Sequence, residues 1–121
     1  GEVIKRHIQL TKKDGKAIIA IPNFLGINGL IQKIFDSENL KAHNLESMEI
    51  NNLKPFLKGR GVKYSKIFYY GGLLIWLENM KDRNILMKVS FLAINILGHG
   101  IKALGFNSKL TSPYIVMVIN K

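Results

Sequence analysis

The chain alternates between short mixed stretches and runs with almost no polar residue, and the spacing of these runs predicts an α/β order. In the stretch EVIKRHIQLTKKDG, Val3, Ile4, Ile8 and Thr11 share one helical face, while Lys5, Arg6, Gln9 and Lys12 lie mostly opposite. Asp14-Gly15 then supplies the left-handed stop that ends a helix or makes a tight turn. Residues 17–21, AIIAI, show no alternation, the pattern of a strand covered on both faces. Pro22 has no N–H to give to a ladder, so the strand ends there.

Beyond the proline, Gly26 and Gly29 bracket a flexible corner, and Leu30, Ile31, Ile34 and Phe35 form an amphipathic turn or two. Ser37 is placed to cap a further short helix anchored by Leu40. The stretch INNLKPFLKGRG predicts another helix, capped by Asn51 or Asn52, with Leu53, Phe56 and Leu57 inward and Gly59 or Gly61 at its end. Pro55 is tolerated there because it falls in the first turn. A strand over 62–70 closes at Gly71-Gly72. Residues 85–105 form the most apolar tract, with Lys88, Asn95, His99 and Lys102 on one narrow helical stripe. Its longest uncharged run, Val89 to Ile101, falls short of the roughly 20 residues a bilayer span requires, so a core helix is favoured over an interfacial one and no membrane span is expected. Pro113 starts the last strand, and Tyr114 to Ile119 run unbroken, as in a buried interior strand.

Composition narrows the classes. A chain of 121 residues with 47% hydrophobic content suits one domain with a real core. There is no cysteine, which excludes disulfides and thiolate metal sites and fits a cytoplasmic setting. The chain opens on a charged helix-like stretch and not on a secretory signal. Its net charge of +10 raises nucleic acid, an anionic membrane or a phosphorylated substrate as partners. Five basic residues and no acid lie between Lys54 and Lys66, yet dispersed lysines are usually solvated, and no nucleic-acid motif accompanies them. The nearby aromatics Tyr64, Phe68, Tyr69 and Tyr70 suit sheet packing better than base stacking.

Ligands in doubly wound folds gather beyond the carboxyl ends of strands, where Asn23 stands. Its amide either faces a ligand or makes a turn through its own side chain. His43 is the one plausible proton acceptor nearby, and a surface or core role is open to it as well. No second histidine or carboxylate lies at metal-ligand spacing, so no metal site is assigned.

The segment TKKDGKAIIAIPNFLGINGLIQKIFDSENLKAHNLESM resembles the middle of class I S-adenosylmethionine-dependent methyltransferases. Members carry a helix ending in an "lkpGG"-like turn, a strand leading to "iPNf" and, in one branch, "G-x-NG" followed downstream by "HN". Ile21-Pro22-Asn23-Phe24, Asn28-Gly29 and His43-Asn44 match in order; Lys13-Asp14-Gly15 departs from the usual Pro-Gly-Gly. The resemblance continues more weakly to Lys121.

The resemblance implies a partial doubly wound, Rossmann-like sheet: strands five to seven of the family, with the last inserted antiparallel between the other two. Residues 1–121 would be a C-terminal half. The glycine-rich loop and ribose-holding acid that grip S-adenosylmethionine precede this region in the family, and no G-x-G-x-G occurs here. The chain alone would therefore be inactive, and its partner would be the missing N-terminal half or a second copy paired through strand 17–21. The acceptor side would be lined by Asn23, Phe24, Asn28, His43 and Asn44, with Tyr70 as a wall and His43 as the candidate base. The methyl acceptor itself is not specified. A small basic nucleic-acid-binding module and a catalytically inactive structural or interaction fragment are the competing readings.

Overall fold

A computed structural model describes residues 1–58, 61–75, 77 and 80–121. Helix α1 (Glu2–Leu10) leads into β1 (Lys16–Pro22), then α2 (Ile27–Phe35) and the short α3 (Ser37–Lys41). A 3-10 turn (Leu45–Met48), α4 (Ile50–Leu53) and a second 3-10 turn (Lys54–Leu57) precede β2 (Tyr64–Tyr70). After a further 3-10 turn (Met80–Asp82), the long α5 (Ile85–Ala103) leads to β3 (Tyr114–Asn120).

The strands form one mixed α/β layer in the order β1-β3-β2. β3 is antiparallel to both neighbours, with Ile19 opposite Met117 and Met117 opposite Ile67. β1 and β2 therefore run parallel to one another on either side of an inserted strand. This is the arrangement expected for the three strands, whereas a doubly wound sheet is not seen among the described residues.

The reason is that only one face is covered. Ile19 of β1 and Ile115, Met117 and Ile119 of β3 pack with Ile4 and Ile8 of α1, Met48, Leu53 and Leu57 into a single core. Val3, expected on the same face as Ile4, is exposed instead. On the opposite face Ile18 is 66% exposed and Ala20 is also open, so the expectation that β1 is buried on both faces is corrected. β3 likewise alternates: Tyr114 is exposed and Val116 and Val118 are half-buried between its three fully buried positions.

Local chemistry sets the corners. Asp14 itself takes the left-handed conformation, with φ 62°, at the turn into β1. The Lys121 ammonium donates to the carbonyls of Ile8, Gln9 and Thr11, closing the C-terminal end of α1 from the end of β3. Gly26 and Gly29 serve close approach and not flexibility: a Cβ on Gly26 would stand 2.1 Å from the Leu110 carbonyl oxygen, and one on Gly29 1.7 Å from that of Phe24. Ser37 is the first residue of α3 and Asp36 takes the cap position, without a side-chain bond. Likewise Glu49, and not Asn51 or Asn52, precedes α4. Pro55 does sit in a first turn, that of the 3-10 segment, and Gly61 has φ 77°; Gly59 lies outside the described residues.

Helix α5 corrects the expectation of a buried core helix. Only Phe91 and Gly98 are buried in it, while Leu86, Val89, Leu92, Ile96 and Leu97 point outward. Of its polar stripe, Lys88 and Asn95 are half-buried against the protein and His99 and Lys102 are exposed. Asn95 donates to the Ile75 carbonyl (2.9 Å) and accepts from the Ile75 N–H (2.8 Å), and Lys88 donates to the Lys81 carbonyl. By length and composition alone, this 19-residue helix is long and apolar enough to cross a membrane. Phe91 instead joins Ile75 and Leu77 in a second small core, against Ile31 and Phe35 of α2.

Candidate functional site

The corner after β1 is built around Asn23, which is 1% exposed. Its Nδ2 donates to the carbonyls of Lys109 and Ser112, both at 2.8 Å, and its Oδ1 accepts from the Leu25 N–H at 3.2 Å. Its backbone N–H donates to the Pro113 carbonyl. Both amide protons and the amide oxygen are thus engaged by the protein. Asn23 ties the end of β1 to the loop that enters β3, and its turn role is the one on view.

The same loop is fixed from outside by Lys109, which bonds Glu49 at 2.6 Å. That hydrogen bond to Glu49 is the main cause that lifts the Lys109 ammonium above the ordinary lysine value, with the charges of Glu49 and Tyr69 adding to it. Tyr69 is lifted as well, chiefly because burial penalises its phenolate.

Phe24 and His43 meet behind this corner, and Asn28 lies in the first turn of the helix that follows it. Phe24 is buried, and its ring meets the His43 ring edge to face at 4.9 Å. The tight seat of Gly29 against the Phe24 carbonyl brings the first turn of α2, which carries Asn28, against the backbone at Phe24. Asn28 is 2% exposed, and neither its Nδ2 nor its Oδ1 has a hydrogen-bond partner among the described residues. A buried amide without partners costs on the order of 1–3 kcal/mol, so its retention asks for a reason beyond folding.

One turn along α2, buried Gln32 accepts from Asn39 Nδ2 (3.1 Å). The Asn39 carbonyl in turn lies 2.8 Å from His43 Nδ1. A carbonyl can only accept, so Nδ1 carries the proton and the neutral ring presents its lone pair at Nε2. Gln32 and Asn39 link to His43 without reaching Asn28, and neither is singled out by the sequence reading. The signal is the four-residue spacing of Asn28 and Gln32 on a helix whose one other polar residue is Lys33.

Two predicted site residues stand apart. Asn44 is exposed and caps the turn Leu45–Met48, its Oδ1 accepting from the Ser47 N–H at 3.3 Å. Tyr70 ends β2 on the open face of the sheet, beneath the Lys102 ammonium at 5.4 Å from its ring. It shares a row with Tyr114 and Pro22, two strands from the corner and on the face opposite to Phe24.

No group of three or more histidine, cysteine or carboxylate side chains able to hold a metal occurs among the described residues. The residues present also do not fit S-adenosylmethionine. The amide at the end of β1 is consumed by carbonyls, and among the described residues no carboxylate is seen bonded to His43 or Asn28. Comparison with family models, curated proteins and solved structures finds no match.

Proposed function

We propose that residues 1–121 form the acceptor-side half of a class I S-adenosylmethionine-dependent methyltransferase, the cofactor being gripped by another polypeptide segment. The observation that carries this reading is the strand order: an antiparallel strand inserted between two parallel ones, after an Ile-Pro-Asn-Phe corner. Three uncovered apolar surfaces accord with it, namely the open sheet face, the outer side of α5 and the free edge of β1.

Within this reading Asn28 and His43 have separate tasks. The unpartnered amide of Asn28 supplies one donor pair and one acceptor to orient a polar acceptor, and orientation is a large part of any transfer between bound groups. His43, with Nδ1 held by the Asn39 carbonyl, offers Nε2 to take the proton from an acceptor hydroxyl or amine. Phe24 fixes the ring from the side. Asn23 and Asn44 hold the backbone around them.

The test is titration calorimetry with S-adenosylmethionine. Residues 1–121 alone should give no measurable heat, and the protein translated from the whole reading frame should bind. A low-micromolar constant for residues 1–121 alone, or no binding by the whole-frame protein, overturns the proposal.

A further inference from the structure

The open face of the sheet has a floor, a rim and a size. In cross-strand rows it reads Lys16–Asn120–Tyr64, Ile18–Val118–Lys66, Ala20–Val116–Phe68 and Pro22–Tyr114–Tyr70. The middle is aliphatic, made by Ile18, Ala20, Val116 and Val118, and together with Phe68, Tyr70 and Tyr114 it lines a shallow groove of ≈ 460 Å³. Three strands spaced roughly 4.8 Å apart give a floor about 10 Å wide, the width of one α-helix. Seven residues per strand give about 23 Å of length, which a helix of about 15 residues would span. The small side chain of Ala20 lets a helix axis approach the sheet closely.

The rim is charged with a single sign. Lys16 and Lys66 stand at one end and Lys102 at the other, and among the described residues none of the three has an ion pair. The carboxylate closest in sequence, Asp14, is taken by Lys63. We infer that this face receives an amphipathic helix of about 15 residues with an apolar stripe and carboxylates at both flanks, contributed by a polypeptide segment outside residues 1–121.

Charge argues against a second copy of this chain. Sheet against sheet would set lysine rims against each other, at a cost in like-charge repulsion. No helix of the chain fits either. α5 contains no acidic residue, and α1 has only Glu2, paired with Arg6, while its apolar side is spent in the core. Single-stranded nucleic acid would want free aromatic faces for stacking. Here the Lys66 ammonium lies over the Phe68 ring at 5.2 Å and Lys102 over Tyr70, while the exposed Tyr64 and Tyr114 stand in the first and last rows with the aliphatic rows between them. A lysine rim around an aliphatic floor matches an acidic helix. This inference does not depend on the methyl-transfer reading.

The test uses residues 1–121 and three fluorescein-labelled probes: a 16-residue helical peptide with a leucine stripe and glutamate flanks, its twin with lysine flanks, and a 12-nucleotide oligouridylate. Fluorescence anisotropy should show the glutamate peptide binding at least tenfold more tightly than the lysine twin. Lys66→Glu combined with Lys16→Glu should reverse that preference, and Lys66→Glu alone should narrow it. Ile18→Asp should abolish binding, and Ile18 is exposed on an edge strand, so circular dichroism should be unchanged. Equal binding of the two peptides, binding of neither, a preference unmoved by charge reversal, or tighter binding of the oligouridylate would each overturn the inference.

Discussion

The two faces of the three-stranded sheet both have aliphatic centres and have opposite surroundings. On one, Ile115, Met117 and Ile119 are fully shielded by α1 and the turns around Met48 and Leu57. On the other, Ile18, Val116 and Val118 form a surface that no described element covers. A strand with one wet face normally alternates apolar with polar residues, and a continuous run is the mark of cover on both sides. The composition of β1 and β3 accords with the proposal that a further element covers the open face. The buried face is a core, and the open face is the one to which that proposal assigns a helix.

Neighbouring isoleucines of β1 offer the sharpest way to break this comparison. Ile19→Ala empties a core position and should cost about 3 kcal/mol in urea denaturation. Ile18→Ala, the same chemical change one residue earlier, should cost about 0.5 kcal/mol in the isolated chain. Equal costs would mean that the open face is covered after all. In the whole-frame protein the cost at Ile18 should rise towards that at Ile19.

The two buried asparagines extend the comparison to polar groups. Asn23→Ala strands the Lys109 and Ser112 carbonyls and releases the corner, and should cost about 2–3 kcal/mol. Asn28→Leu removes an amide that bonds nothing among the described residues, at similar volume, and should leave the midpoint of unfolding unchanged or raised. A large loss at Asn28 would show that its amide serves the fold and is not held for a ligand.

The smallest effect expected is alkaline. The Lys109 value is raised in the folded chain, so the stability it contributes is complete below the ordinary lysine range, near about 10.4, and is lost as pH climbs through the raised value. Tyr69 acts in the same direction: its phenol resists ionisation when folded, and the unfolded chain loses its proton first, from about pH 10 upward. Thermal melts should therefore show a decline in this alkaline window. Lys109→Met should lessen that decline, and an unaltered pH profile in the variant would remove Lys109 from the account.

Much of this was legible in the residues, for reasons that also explain what was not. Local patterns are visible in a sequence: the unbroken run Tyr114 to Ile119 marked the interior strand, and Pro22 marked the end of β1. The role of Asn23 was not visible, because its partners lie 86 and 89 residues away. Gly26 and Gly29 looked like a flexible corner because spacing cannot show that a carbonyl presses on each Cα. The polar stripe of α5 was the least legible. Asn95 and Lys88 serve backbone groups of residues 75 and 81, so these two polar residues face inward beside Phe91 while several apolar residues face out. The four-residue step from Asn28 to Gln32 was readable and was passed over, since a polar pair on an apolar helix resembles ordinary surface until burial is known.

Amide hydrogen exchange along the three strands tests most directly whether residues 1–121 carry half of a larger sheet. β3 has a neighbour on each side and β1 only one, so in the isolated chain at low concentration β3 should exchange slowly throughout. The alternate amides of residues 16–22 that face away from β3 should exchange fast, and they should slow in the whole-frame protein. Uniformly slow exchange along 16–22 in the isolated monomer would contradict the account.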